Sequence, residues 1–124
     1  MTLLINGGTM KDEFLITLDV DWASDAIIAK VKEQLVKNRV KATWFVTHDS
    51  PEIRNLQEYP FFELGIHPNF DVKSTQGNNP DEVMRFVKKI VPDAKSVRTH
   101  ALIQSSALLK LMREKFGIIH DVSI

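Results

Sequence analysis

Cysteine is absent from this 124-residue sequence, and its absence excludes two kinds of structure. Without cysteine the chain can form neither a disulfide framework nor a metal site with thiolate ligands. A metal site would therefore have to use nitrogen and oxygen ligands. The absence also fits a reducing compartment, and we expect a cytoplasmic protein.

The sequence also lacks a net charge and a long hydrophobic run. Its 16 Lys and Arg residues balance its 16 Asp and Glu residues. Because nucleic acids and anionic membranes bind basic surfaces, neither is expected as a partner. The N-terminal segment has no basic stretch and does not resemble a signal peptide. No segment approaches the ~18 consecutive apolar residues of a membrane-spanning helix, so we expect a soluble protein.

Strand and helix patterns alternate along the chain. Five short apolar segments rich in β-branched or aromatic residues predict strands at 14–18, 42–47, 61–66, 95–98 and 118–120. Helical spacing of apolar residues predicts helices after Ser24, Pro80 and Ser105, and a short helix within 51–59. Such alternation favours right-handed βαβ units. We therefore predict a single α/β domain over residues 1–124, with a parallel sheet of about five βα units.

Polar residues follow every predicted strand. All four histidines of the chain stand at the carboxyl ends of strands, at positions 48, 67, 100 and 120. In parallel α/β folds these ends meet on one rim, where functional sites form. A single histidine after a strand is usually an ordinary loop residue, and we assign His48 and His120 to this class.

Two acids, Asp19 and Asp21, end the first predicted strand. They point to the same side if the strand persists, because side chains alternate along a strand. Two neighbouring carboxylates repel each other, and a bound cation is the common solution. Asp and His ligands without sulfur suit Zn²⁺, Mn²⁺, Co²⁺ or Fe²⁺. The alternative is that Asp21 caps the turn before Trp22 and the helix.

Four segments, "ITLDVDWA", "KATWFVTH", "FELGIHPNF" and "SVRTH", resemble the polysaccharide deacetylase family (carbohydrate esterase family four). The likeness is greatest to the branch associated with bacterial surface-polysaccharide and O-antigen loci, and it extends from Phe14 to Ile124. The resemblance implies a distorted, incomplete (β/α) barrel. It also implies removal of acetyl groups from N-acetylated sugars, with one divalent metal ion as cofactor. That ion is expected to be Zn²⁺, with Co²⁺, Mn²⁺, Fe²⁺ or Ni²⁺ as alternatives.

The resemblance also assigns roles to four residues. Asp19 matches the catalytic base, and Asp21 matches the acid that binds the metal. His67 matches the first histidine of the second motif, which is a metal ligand. Arg98 matches the arginine that orients the base, so Asp19 and Arg98 are the expected catalytic residues.

The second motif departs from the family pattern. Its usual second histidine is replaced by Asp71, which is either a ligand or an ordinary loop acid. Gln76 and His100 are the other candidates for completing the ligand set. We assign Gln76 to the metal, and we assign Trp22, Asn69 and His100 to the rest of the pocket.

The late-barrel motif has no counterpart in this sequence. In the family that motif supplies the histidine that protonates the leaving amine, and later strands close the barrel. The sequence therefore corresponds to the front part of a deacetylase domain: a natural truncation, a piece, or a form that completes itself by self-association. An uncovered edge near Ile118 and Ile119 would favour pairing with another chain, so we expect self-association through this edge.

Two functions follow from these features. The first is a metal-dependent hydrolase that deacetylates N-acetylated sugars of a polysaccharide or its precursor. The alternative is a degenerate, non-catalytic deacetylase-like domain that binds a sugar or a partner. A receiver or flavodoxin-like module is disfavoured, because no glycine-rich phosphate loop follows the first predicted strand.

Overall fold

A six-stranded sheet forms the centre of the protein. The computed structural model describes residues 2–5 and 12–123, with side chains from Phe14 to Ser123. The strands lie in chain order in the sheet: β1 (Thr2–Ile5), β2 (Asp12–Asp19), β3 (Ala42–Val46), β4 (Phe62–Ile66), β5 (Ser96–Val97) and β6 (His120–Asp121). Strands β2 to β6 are parallel and curl into half of a barrel. The predicted α/β class and the five parallel strands are therefore confirmed.

Strand β1 is an addition to the prediction. It pairs antiparallel with β2, from Thr2 opposite Leu15 to Ile5 opposite Asp12. A single short apolar run, Leu3-Leu4-Ile5, does not by itself identify a strand or its partner. Pairing with β1 covers the outer edge of β2, which would otherwise present free backbone groups.

Four helices connect the parallel strands: α1 (Asp25–Lys37), α2 (Pro51–Leu56), α3 (Pro80–Ile90) and α4 (Ser106–Lys110). Helix α4 continues as a π-helical segment, Leu111–Lys115, which Gly117 terminates with a φ of 67°. Side chains of Ser50, Asn79 and Ser105 accept hydrogen bonds from the first turns of α2, α3 and α4. Ser24 takes the N-cap position of α1, as its place before the predicted helix indicates, but its side chain makes no capping hydrogen bond. No helix within the described ranges is long and apolar enough to span a membrane.

The core lies between one face of the sheet and the helices. Its most deeply buried members include Val46, Ile66 and Val97 from the strands, with Ile53, Leu56, Met84, Val87 and Met112 from the helical segments. Fully burying such a side chain contributes roughly 1.5–3 kcal/mol. Because side chains alternate along a strand, this packing turns the intervening residues to the opposite face of the sheet.

Gly65 allows β4 to approach its neighbours on that opposite face. A Cβ at Gly65 would lie 2.7 Å from the ring of Phe45 and 2.9 Å from the carbonyl oxygen of Ser96. The ring of Phe45 in turn lies 4.8 Å from the guanidinium carbon of Arg98. The missing side chain therefore leaves room for the aromatic support beneath Arg98.

Candidate metal centre

The carboxyl ends of β2, β4 and β5 bring together the residues that the sequence analysis selected. Asp19 and Asp21 come from the end of β2, His67 follows β4, and Arg98 and His100 follow β5. Among the described residues, Asp21, His67 and His100 form the group whose donor atoms could hold one metal ion. The side chains expected at this rim thus lie close together.

The donor atoms of Asp21, His67 and His100 form a nearly equilateral triangle. Oδ1 of Asp21 lies 3.2 Å from Nε2 of His67 and 3.2 Å from Nδ1 of His100. The two imidazole nitrogens are 3.3 Å apart. Zn²⁺ bonds of ~2.0–2.1 Å in tetrahedral geometry require donor atoms to lie roughly 3.3 Å apart. The three residues therefore fit one face of a tetrahedral zinc site, with the fourth position free.

The tautomer of His67 also suits a metal ligand. Its ring is buried, and its Nδ1 lies 2.6 Å from the backbone carbonyl oxygen of Arg98. A carbonyl oxygen can only accept, so Nδ1 carries the hydrogen and donates it. The lone pair of Nε2 is then directed at Asp21 and His100. Metal-binding histidines commonly have such a second hydrogen bond, which fixes the ring.

Asp21 reaches the site through a tight turn rather than through the pleat of the strand. Strand β2 ends at Asp19, and the amide of Ala23 donates to the carbonyl oxygen of Val20 at 2.9 Å. The two central residues, Asp21 and Trp22, have φ values of 45° and 56°, typical of a type I′ turn. Aspartate tolerates this conformation, whereas tryptophan rarely adopts it. The premise that the strand persists to Asp21 is therefore wrong.

Asp19 is held by Arg98 on the other side of His67. The Nη1 group of Arg98 donates to Oδ1 of Asp19 at 3.0 Å, and its Nη2 group donates to Thr17 at 3.0 Å. Nε of Arg98 donates to the carbonyl oxygen of Val122 at 3.3 Å. Oδ1 of Asp19 is 4.0 Å from Nδ1 of His67, so the two acids flank opposite nitrogens of the ring.

Thr17 was not selected from the sequence. It stands two residues before Asp19 on β2, so strand alternation places both side chains on the same face. This two-residue spacing is the sequence signal that could have identified Thr17. Thr17 fixes the second arm of the Arg98 guanidinium and thereby limits the directions in which Arg98 can hold Asp19.

Gln76 was assigned to the metal, but hydrogen bonds already occupy its side chain. Its buried carboxamide binds backbone groups instead. Oε1 accepts from the amide of Asn69 at 2.6 Å, and Nε2 donates to the carbonyl oxygens of Thr47 and His67 at 2.9 and 3.3 Å. Asp71, the other loop candidate, is exposed and accepts a hydrogen bond from the amide of Lys73.

His100, which was assigned to the rest of the pocket, supplies the third donor atom of the triangle. Its ring contacts two aromatic neighbours edge to face, with centroid distances of 5.3 Å to His67 and 5.1 Å to Trp22. Trp22 is 39% exposed and, with Asn69, Lys73 and Thr75, lines a shallow pocket of about 250 Å³. Trp22 and Asn69, which were assigned to the pocket, thus lie together beside the cluster.

The remaining polar residues at the strand ends lie outside the cluster. Asp49 forms an ion pair with Arg54, and hydrogen bonds from this guanidinium hold the pKa of the Asp49 carboxyl below its usual value. His48 lies 3.0 Å from the hydroxyl of Thr47, and the side chain of His120 is exposed. Their assignment as ordinary loop residues agrees with these positions.

Comparison with known proteins gives one family and one solved structure. The sequence model of the family described as "WbmS-like: Polysaccharide deacetylase" matches residues 16–124. A crystal structure from Bordetella bronchiseptica, described as a candidate polysaccharide deacetylase involved in O-antigen biosynthesis, superposes with a TM-score of 0.79 at 32% sequence identity. The match covers 86% of this chain and 45% of that one, so this chain spans less than half the length of its relative. Among proteins with curated descriptions, none matches.

Proposed function

Because the chain belongs to the WbmS-like polysaccharide deacetylase family, we propose that it removes acetyl groups from N-acetylated sugars of a polysaccharide or its precursor, using one divalent metal ion. The observation that carries this proposal is the donor triangle of Asp21, His67 and His100. Its dimensions match those of a tetrahedral Zn²⁺ site with an open position, the arrangement of catalytic rather than structural zinc.

Asp21, His67 and His100 would hold the ion. When bound, the ion would polarise the acetyl carbonyl group and lower the pKa of a coordinated water. In the neutral ring, the hydrogen bond from Nδ1 of His67 to the Arg98 carbonyl group places the lone pair on Nε2, which faces Asp21 and His100. The turn at Asp21 delivers its carboxylate from the opposite side of the cluster.

Asp19 is the base in this proposal. Its carboxylate would accept a proton from the attacking water as the amide carbon is attacked. Arg98 holds one carboxylate oxygen at 3.0 Å, which fixes the direction in which the other oxygen points. The proton held by Asp19 would then pass to the amide nitrogen as the C–N bond breaks, so that acetate and the amine would leave. Trp22, half-exposed beside His100, would pack against the sugar ring.

The alternative is a domain that binds a sugar or a partner without turnover. The observation in its favour is that the match covers only 45% of the B. bronchiseptica chain. In the family pattern the residue that protonates the leaving amine lies in the late-barrel motif, which residues 1–124 do not match. A protein of this second kind would bind N-acetylated sugar but release no acetate.

Metal content and acetate release distinguish the two functions. The protein is stripped with a chelator, reloaded separately with Zn²⁺, Co²⁺, Mn²⁺, Fe²⁺ or Ni²⁺, and analysed for bound metal by mass spectrometry. Acetate release is then measured with chitooligosaccharides and with an N-acetylated nucleotide sugar. One tightly bound ion per chain together with acetate release supports the enzyme. Failure to bind any of the five ions contradicts the metal-dependent hydrolase.

A further inference from the structure

The Gln76 side chain joins two strand ends that carry the site. Its carboxamide is 4% exposed and lies between the loop that follows β4 and the ends of β3 and β4. Nε2 donates to the carbonyl oxygens of Thr47 and His67, while Oε1 accepts from the amide of Asn69. One planar group therefore satisfies two buried acceptors and one donor at once, which requires the mixed chemistry of an amide.

Thr47 extends this contact to the turn that carries Asp21. Its side chain is fully buried, and its hydroxyl oxygen accepts from the amide of Trp22 at 3.0 Å. Trp22 has a φ of 56°, so this hydrogen bond secures a backbone conformation that tryptophan rarely adopts. Asp21, the preceding residue, shares that turn.

We propose that Gln76 and Thr47 form one positioning relay that sets the separation of Asp21 and His67 before any ion binds. One end of the relay is the hydrogen bond from Gln76 to the carbonyl oxygen of His67. The other end is the bond from the Trp22 amide to Thr47. Gln76 links the two because it also binds the Thr47 carbonyl oxygen. Neither Gln76 nor Thr47 contributes a metal ligand.

The affinity readout of this inference rests on the proposed metal centre, so a second readout uses the metal-free protein. The first is Zn²⁺ affinity, measured by competition with a chromophoric chelator at neutral pH. The second is hydrogen exchange of the Trp22 amide, measured by NMR without metal. Circular dichroism confirms that each variant is folded under the conditions used.

The Gln76→Glu variant distinguishes a positioning role of Gln76 from direct binding of the metal. Glutamate keeps an acceptor for the Asn69 amide but places a carboxylate against two carbonyl oxygens, so the relay is broken. A positioning role predicts Zn²⁺ affinity about 10- to 100-fold weaker, the usual effect of changing an outer-shell partner. If Gln76 were instead a ligand, its replacement by a carboxylate would keep or strengthen Zn²⁺ binding, and that result overturns the proposal.

Variants of Thr47 test the relay independently of Gln76. Thr47→Val removes the hydroxyl with little change of shape, and we expect a similar loss, about 10- to 100-fold, in Zn²⁺ affinity. Thr47→Ser keeps the hydroxyl and should remain close to the wild-type affinity. An unchanged affinity in folded Thr47→Val overturns the proposal, even if a Gln76 variant fails to fold.

Two measurements test the connection between Gln76 and Thr47: hydrogen exchange of the Trp22 amide, and the Zn²⁺ affinity of a double variant. Gln76→Met should accelerate exchange of the distant Trp22 amide, whereas Gln57→Met, the same change at an exposed position, should not. The double variant Gln76→Met/Thr47→Val should lose less affinity than the sum of the single losses, because both act through one connection. Additive losses, or unchanged Trp22 exchange in Gln76→Met, overturn the relay. If the wild-type protein binds none of the five ions, the proposed function fails, and the exchange measurement still decides the relay.

Discussion

The imidazole of His67 donates a hydrogen bond to the backbone carbonyl oxygen of Arg98 over 2.6 Å. The guanidinium of the same Arg98 holds Asp19 at 3.0 Å. One residue therefore orients the buried histidine through its backbone and the candidate base through its side chain. The two functions can be separated, because a substitution at position 98 removes the second contact and leaves the first.

Removing either histidine of the donor triangle should weaken metal binding. We expect His67→Asn and His100→Asn each to lower Zn²⁺ affinity by at least about 100-fold, more than the usual loss from an outer-shell change. His120→Asn is the matched control, since His120 also stands at a strand end but is exposed and outside the cluster. Chelator competition measures all three. Full Zn²⁺ content in the first two variants would remove these residues as ligands.

Asp19→Asn should separate catalysis from metal binding. The amide retains the shape of the carboxylate but cannot accept the proton, so acetate release should fall about 10²- to 10⁴-fold. Zn²⁺ content should stay at the wild-type level, because Asp19 lies outside the donor triangle. Steady-state kinetics and metal analysis of the same preparation provide the check. Unchanged turnover would exclude Asp19 as the base.

Arg98→Lys should impair turnover without loss of the ion. Lysine offers one compact ammonium group and cannot bind Asp19 and Thr17 with a rigid fork. Misplacement of the base by this change should lower kcat by about 10²-fold. The backbone contact to His67 remains, so metal analysis should give wild-type content. Loss of Zn²⁺ together with activity would contradict this separation of roles.

The two glycines Gly65 and Gly117 should respond to alanine for different reasons. At Gly65 the new methyl group meets Phe45 and the Ser96 carbonyl group below 3.0 Å, and overpacking of this kind costs about 1–3 kcal/mol. At Gly117 nothing lies within 4 Å, and the cost arises from its φ of 67° alone, about 1–2 kcal/mol. Urea unfolding measures both. Only Gly65→Ala should also reduce turnover, because Phe45 supports Arg98; equal kinetics in both variants would contradict this.

Self-association through the β6 edge remains a prediction, and Ile119 offers a test. Ile119 is 68% exposed beside β6, which pairs only with β5 among the described strands. We expect concentration-dependent association of the wild-type protein and its loss in Ile119→Lys. Val72→Lys adds the same charge at a 96% exposed apolar residue in another loop and should have no effect. Sedimentation velocity measures the association of the three proteins. A wild-type monomer at every concentration, or equal effects of both variants, would contradict the prediction.

Much of the fold could be predicted because local and long-range signals agree. Capping residues such as Ser50, Asn79 and Ser105 stand directly before their helices, and the strand segments are short and apolar. Strands β5 and β6 are shorter than predicted, at two residues each, because their ends are fixed by pairing and not by composition. The partner of β1 depends on contacts across the sheet, which residue patterns do not reveal.

The candidate site was outlined from the sequence, with Gln76 and not His100 among the assigned ligands. Asp21 and His67 could be selected because they follow predicted strands, whereas the turn that delivers Asp21 was not predicted. The choice between Gln76 and His100 depends on which side chain the backbone already binds. The side chain of Gln76 is hydrogen-bonded to buried carbonyl and amide groups, whereas His100 directs its Nδ1 towards Asp21. Such competition for hydrogen bonds depends on the tertiary structure and cannot be read from the sequence.

Strand β5 contributes only two residues and pairs with β4 at a single position, Ile66 with Val97. This is the shortest strand pairing in the described sheet, and backbone hydrogen bonds from Arg98 to Ile66 and from His100 to Pro68 extend it. Asp21 and His67 lie on one side of this pairing, and His100 lies on the other. An ion shared by all three would act as a cross-link between the two sides, so loss of the ion would remove one of the few connections that hold them together.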